Sequence, residues 1–177
     1  MTRNEMRFMV FLSSVALHSA LGTCDRLRTA CGIVKNKRLC GVGYNGSVSG
    51  TSHCDDVGHK MIGGHCKRTR HGEANAVSNT SEEHVRGGQA IVIATPCLDC
   101  VKTLAEEGIK EIDYIGSYEN AEGKEYIEEL AREKGIALRQ HDIDLQDLYQ
   151  TLFDRLAQKG GLLANAGYRL EVVKRPL

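Results

Sequence analysis

Residues 89–116 read QAIVIATPCLDCVKTLAEEGIKEIDYIG, and this stretch sets the class of fold. Residues 90–94 and 111–115 are short apolar runs of strand length, and residues 97–107 between them carry a helical pattern. Strand, helix and strand in succession read as a βαβ unit. Pro96-Cys97-Leu98-Asp99-Cys100 opens the helix, so two thiols lie on one side of its first turn. There the positive end of the helix favours their charged form.

The same alternation extends on both sides. Upstream, residues 73–78 read as a helix; downstream, residues 124–134 read as a helix and 136–140 as a strand. Nearer the start, residues 32–35 and 39–43 are strand-like runs separated by Asn36-Lys37-Arg38, which predicts a hairpin. Thr2 with Glu5 three residues later is a capping box, and Met6, Met9, Val10, Ser13, Ala16, Leu17 and Ala20 follow at helical spacing. A first helix over 3–20 is the expectation. These elements predict an α/β sandwich with a central mixed sheet. Residues 145–158 carry an amphipathic pattern, read as a C-terminal packing or subunit-contact helix, and 168–173 as a candidate edge strand. The chain is thus one domain over 1–177, with a core at about 3–141 and a helix and tail over 142–177.

Composition narrows the partners. Lys and Arg number 23 against 23 acidic residues, so no broad positive field awaits a nucleic acid or a membrane surface. The apolar stretch 8–17 is preceded by Glu5 and Arg7 and closed by His18, unlike a signal core, and no run reaches the roughly 20 apolar residues of a membrane span. A cytoplasmic location is expected. In a reducing compartment seven cysteines, an odd number, point to metal ligation rather than disulfides. Cys31 and Cys40 lie within strand-like runs and read as small core hydrophobes. Residues 51–70 are rich in His, Cys and Gly with no period, a loop that needs something other than a hydrophobic face to order it.

His71-Gly72-Glu73 completes the chemistry begun by Cys97 and Cys100. Alone, a Cys-x-x-Cys fits a redox pair or half of a structural zinc knuckle. With His71 the set offers three ligands and leaves a fourth tetrahedral position for water, as catalytic zinc requires. Glu73, two residues from the ligand, can reach that water without binding the metal. Its role is proton carrier, first as base and then as acid. His-x-Glu followed by Pro-Cys-x-x-Cys is a known signature of zinc deaminases.

The chain resembles the deoxycytidylate deaminases of the cytidine deaminase superfamily over most of residues 24–118. The likeness rests on Cys24-Asp25-Arg26, Gly43-Tyr44-Asn45-Gly46, His53-Cys54-Asp55-Asp56-Val57-Gly58-His59, residues 64–73, and Pro96-Cys97-Leu98-Asp99-Cys100. Gly72 departs from the Ala usual there. The resemblance implies a three-layer α/β/α sandwich around a mixed five-stranded sheet, and zinc-dependent hydrolysis of dCMP to dUMP and ammonia. It also implies a second, structural zinc on Cys24, Cys54, His59 and Cys66, with His65 competing for the last place. For the substrate it implies Asn45 at the sugar, Thr95 by the base and Tyr118 flanking the nucleotide; a monophosphate needs charged donors, and Arg26 is the first choice for them. Arg28, Lys67, Arg68 and Arg70 complete the dense basic grouping around Arg26. Family members are commonly homohexamers regulated by dCTP and dTTP near the loop 44–50.

Two other readings use the same zinc core. A polynucleotide deaminase, acting on tRNA or single-stranded DNA, needs strongly positive grooves, and the charge balance counts against it. A noncatalytic zinc-stapled module of the competence-protein type has no use for a positioned Glu73.

Overall fold

Thr2 and Glu5 form the reciprocal pair that their spacing predicts: the Thr2 N–H donates to Glu5 Oε2 at 2.6 Å and the Glu5 N–H to Thr2 Oγ1 at 3.2 Å. They start α1 (Arg3–His18), which tightens into a 3₁₀ turn at Ser19–Leu21. The structure, a computed structural model, describes residues 1–116 and 123–175. It divides into two units, Ser14–His141 and Met1–Ser13 with Asp142–Leu177.

In the larger unit β1 (Ala30–Lys35) and β2 (Arg38–Tyr44) form the expected hairpin. Its turn is tighter than the spacing suggested, because Asn36 and Lys37 both take left-handed backbone, with φ of 50° and 63°. Ile33 pairs with Gly41 but Val34 with Leu39, so Cys40 is the extra residue of a bulge. Its thiol donates to the carbonyls of Lys35 and Arg38. Cys40 is therefore half-buried at a kink and not in the core, whereas Cys31 is completely buried.

After β3 (Gly46–Ser47) the unpatterned stretch holds only short pieces: α2 (Cys54–Val57), β4 (Met61–Ile62), β5 (His65–Cys66) and β6 (Thr69–Arg70). Regular alternation then begins with α3 (Gly72–Ser78), α4 (Glu82–Val85), β7 (Gln89–Ile93), α5 (Leu98–Glu106), β8 (Glu111–Ile115), α6 (Lys124–Glu133) and β9 (Ala137–His141). The main sheet runs β2-β1-β7-β8-β9. β1 is antiparallel to both its neighbours, and β7, β8 and β9 are parallel. This is the central mixed sheet that the alternation predicts, with the five strands that the resemblance implies.

Side chains alternate across it. Cys31, Ile33, Ala90, Val92 and Ile112 line one face and share a core with Ala76 of α3, Val101 and Leu104 of α5, and Ile127 and Ala131 of α6. On the other face Val15, near the end of α1, packs so tightly over Gly32 that a Cβ there would stand 2.4 Å from Val15 Cγ2. That second face also buries Asp113, which is 2% exposed. Asp113 Oδ1 accepts from Arg139 Nε at 2.8 Å and sits 2.6 Å from His141 Nε2, while Oδ2 accepts from Gln89 Nε2 at 2.8 Å and Arg139 Nη2 at 2.9 Å. Arg139 also reaches Glu111. The edge strand β9 is thus tied to β8 by charge as well as by its ladder.

The smaller unit contains α7 (Leu145–Leu156) and α8 (Leu162–Ala166). Asp144 caps α7, its Oδ1 accepting from the N–H groups of Gln146 and Asp147. The tail does not form the edge strand expected over 168–173. Its backbone is satisfied by glutamine side chains instead: Gln146 donates to the Val172 carbonyl, Gln150 to that of Leu170, and the Val172 N–H donates back to Gln150. Those bonds do the work a ladder would. Among the described residues no helix is long and apolar enough to cross a membrane.

Burial alone would raise the Asp113 carboxyl, but Arg139, Gln89 and His141 outweigh it and hold it below its ordinary value. A depressed carboxylate contributes stability that is present above its unfolded pKa and lost as pH falls through the folded one. Asp113→Asn is expected to cost about 2 kcal/mol at neutral pH, less than breaking a fully buried pair because Arg139 keeps contact with water. In urea titrations the gap from the parent should narrow below about pH 4; a gap independent of pH rejects this account.

A candidate metal centre and its pocket

Two helices begin at the same place. His71 is the N-cap of α3 and Cys97 the N-cap of α5, both in extended backbone. Cys100 stands three residues further on, on the same side of the first turn of α5. The approach to α5 is sharp. Pro96 keeps Thr95 extended, so the chain reverses at Ala94, which takes a φ of 110° while its N–H donates to the Ile115 carbonyl at 3.0 Å. Left-handed backbone at a residue with a Cβ is uncommon and strained.

The approach to α3 depends on missing side chains. A Cβ on Gly43 of β2 would stand 2.1 Å from the Ala76 nitrogen and 2.5 Å from the Gly72 oxygen, both backbone atoms of α3. Only a glycine lets the helix come so near. A Cβ on Gly72 would meet the Gly43 oxygen at 3.1 Å and Ala30 Cα at 3.2 Å, so the glycine that replaces the usual alanine fits a tighter seat. Asn75 and Asn79, one turn apart, donate to the Tyr44 and Val42 carbonyls of the edge strand at 2.8 and 3.0 Å. Sequence reading missed them. The available signal was two amides at i, i+4 on a helix otherwise facing a sheet.

The result brings His71, Cys97 and Cys100 together, with their donor atoms all within 4.8 Å of one another. His71 Nδ1 lies 3.2 Å from Cys100 Sγ and 3.5 Å from Cys97 Sγ. Sulfur and nitrogen ligands on one tetrahedral zinc are separated by about 3.5 Å. The spacing and the donor types therefore fit zinc. Hydrogen bonding from Cys100 and His71 outweighs burial and pulls the Cys97 thiol down to about 4, so it is a thiolate at neutral pH. Cys100 is pushed the other way by its bond to that thiolate and by burial. The bond to Cys97 also raises His71. Glu73, one residue into α3, is 6% exposed, and burial raises its carboxyl above the ordinary range against the pull of its own N–H and His71.

A second group also assembles: the donors of Cys24, Cys54, His59 and Cys66 lie within 4.8 Å of one another. Cys24 Sγ is 3.7 Å from His59 Nδ1, and Cys54 Sγ is 3.5 Å from Cys66 Sγ. Asp25 Oδ1 stands 3.0 Å from His59 Nε2, the carboxylate–imidazole arrangement that orients a metal ligand. Burial and the bond to Cys66 push Cys54 up to about 12; at Cys66 burial is outweighed by the Arg68 and Lys60 N–H groups, which bring it down to about 6. Three cysteines and a histidine fit a closed tetrahedral zinc site. His65 points elsewhere, into the pocket wall.

That pocket, a cavity of about 230 Å³, is walled by His71, Glu73 and Cys97 of the first group and Cys24 and Cys66 of the second. Arg26, Asn45 and Thr95 also line it. Asn45 is largely committed: its Oδ1 accepts from the Thr29 N–H at 2.9 Å and its Nδ2 donates to the Leu27 carbonyl at 2.7 Å, leaving one amide hydrogen. Of the five basic residues grouped in the sequence, only Arg26 is a wall of this cavity. Arg28 pairs with Asp55, Arg68 donates to the Gly58 carbonyl and Arg70 to Ser78. Tyr118 lies outside the described residues.

The chain is similar to known proteins. Residues 2–115 match the family described as the cytidine and deoxycytidylate deaminase zinc-binding region. ComE operon protein 2 of Bacillus subtilis is 34% identical over 170 residues, covering 93% of this chain and 88% of its own. Deoxycytidylate deaminase of Schizosaccharomyces pombe is 29% identical over 141 residues, 74% of this chain and 42% of its own. The crystal structure of dCMP deaminase from the cyanophage S-TIM5, in complex with dCMP and dUMP, shares the fold with a TM-score of 0.65 at 23% identity, covering 80% of this chain and 99% of that one.

If α3 is seated on bare backbone, Gly43→Ala should destabilise the protein by about 2–3 kcal/mol and Gly72→Ala by about 1 kcal/mol or less. Thermal unfolding and zinc analysis of both variants check this. A Gly43→Ala protein with the parent's melting temperature and zinc content would show that the helix has another anchor.

Proposed function

The chain belongs to the cytidine and deoxycytidylate deaminase family, and on that footing we propose that it hydrolyses deoxycytidylate to deoxyuridylate and ammonia. The observation that carries the proposal is one cavity walled by His71 and Cys97 of the three-donor centre, by the buried Glu73 and by Arg26. His71, Cys97 and Cys100 would hold the zinc, with Nδ1 the atom His71 offers, since it faces both thiols. When bound, zinc supplies the Lewis acidity that lets water give up a proton near neutral pH, against about 15.7 in bulk.

Glu73 receives that proton. Its burial raises the carboxyl's proton affinity above the ordinary range, which suits it to take up a proton and hand it on. It passes the proton to ring N3 of cytosine, takes up the second one from the attacking oxygen and delivers it to the departing amine. Water and deoxycytidylate in, ammonia and deoxyuridylate out, the carboxyl ends as it began. Arg26 offers the N–H groups that a monophosphate needs. Asn45 keeps one amide hydrogen for a sugar hydroxyl, and Thr95 lines the base. Cys24, Cys54, His59 and Cys66 would hold a second zinc of structural type, since four protein donors leave no open position. Free cysteines throughout suit a reducing cytoplasm. The family likeness favours a homohexamer activated by dCTP and inhibited by dTTP, which light scattering and kinetics with both triphosphates would check.

A noncatalytic zinc-stapled module is the second reading, favoured by one relative whose name is an operon's and not an activity's. Ammonia release separates the two. Deamination of deoxycytidylate in preference to cytosine oligonucleotides is expected, and Glu73→Gln should lower kcat by about 10² to 10⁴ while zinc content is unchanged. A wild-type protein loaded with zinc yet inert on the nucleoside and its mono-, di- and triphosphates would leave the module.

A further inference from the structure

The two Cys/His groups share a cavity, and Cys24 and Arg26 of the segment Cys24-Asp25-Arg26 both line it. Cys24 is a donor of the second group, Asp25 pairs with His59 of the same group at 3.0 Å, and Arg26 follows directly. The root of Arg26 is therefore set by that group. Its tip is set by it too. Arg26 Nη1 donates to the Gly64 carbonyl at 3.3 Å and lies 3.0 Å from Met61 Sδ, both in the β4–β5 hairpin that runs from His59 to Cys66.

This hairpin has little else to hold it. Its strands are two residues each, and Met61 and Ile62 are 47% and 60% exposed. Strands so short and without a buried face are not stable by themselves. Gly63 and Gly64 at its tip both take left-handed backbone. His59 and Cys66 on either side are the donors that fasten it to Cys24 and Cys54. The remaining N–H groups of the Arg26 guanidinium, on Nε and Nη2, stay available to an anion.

We infer that the Cys24, Cys54, His59 and Cys66 group is a positioning device for Arg26, so that metal held there sets how strongly the pocket prefers a nucleoside monophosphate to the nucleoside without its phosphate. The inference rests on the reading of the pocket as a deoxycytidylate site. Arg26 touches the ligand, and the second group acts only through it. A purely structural staple would weaken both ligands alike or neither.

The test measures binding, apart from turnover. Zinc per chain and calorimetric affinities for dUMP and for deoxyuridine are determined in the parent, in Cys54→Ser, in Arg26→Ala and in the double variant. Cys54→Ser should lose one zinc and weaken dUMP by about tenfold, the factor for loosening one charge-assisted hydrogen bond, with deoxyuridine changed by no more than about twofold. In the double variant the loss should not exceed that of Arg26→Ala, because the two changes act on one contact. His59→Ala repeats the test if Cys54→Ser does not fold. Loss of one zinc with the dUMP to deoxyuridine ratio preserved overturns the inference alone. A parent protein that binds no dUMP overturns the proposed function and this inference with it.

Discussion

The approach of α3 to the bare backbone of Gly43 is the constraint on which the site depends. His71 and Glu73 stand at the start of α3 and Cys97 and Cys100 at the start of α5, and α4 and β7 lie between these helices in sequence. With 2.1 Å between an imagined Gly43 Cβ and the Ala76 nitrogen, even a methyl group would move the helix. Such a shift would carry the imidazole away from the two thiols, which now lie 3.2 and 3.5 Å from it. Interiors are packed too densely to absorb that displacement silently. The asparagine bonds from α3 to β2 then fix the remaining freedom, sliding along the strand.

Electrostatics follow from this seating. Two helix N-termini directed at one point create a region that favours negative charge. One thiol is a thiolate there, and its neighbour keeps its proton because that proton is bonded to the thiolate and because the group is buried. Glu73 sits deep enough that burial dominates its proton affinity. A metal cation would change the balance for all four groups, stabilising both thiolates. The donor set is thus prepared for a cation, and the carboxyl beside it for proton transfer.

The loop over 51–70 solves a different problem. It lacks an apolar face, and its side chains Val57, Met61 and Ile62 are exposed. Hydrophobic burial cannot order it, so its shape is taken from polar ties: Arg28 to Asp55, Arg68 to the Gly58 carbonyl, and the convergence of Cys24, Cys54, His59 and Cys66. A site built on such a loop is only as firm as its cross-link. That is why the group at 24, 54, 59 and 66 has consequences for Arg26.

Much was readable beforehand, because periodicity and short motifs are local properties. The βαβ run, the hairpin, the capping box and the mixed sheet follow from spacing, the first donor set from His-x-Glu and Cys-x-x-Cys, and the second, with His65 still competing for a place, from the family resemblance. Other features were not legible. The bulge at Cys40, the missing tail strand and the division of work among the arginines depend on partners far along the chain. Cys40 has the residues of a strand around it, yet the register shift leaves it at a kink; residues 168–173 have strand character, yet the glutamines of α7 satisfy their backbone first. By itself the sequence determined which elements form and which donors are present, since both are set by residues a few positions apart. Only the tertiary structure decided that Cys66 and not His65 joins the second group, that Arg26 alone of five cations faces the cavity, and that both groups share its wall. Those outcomes turn on contacts of a few ångströms between segments that spacing along the chain does not encode.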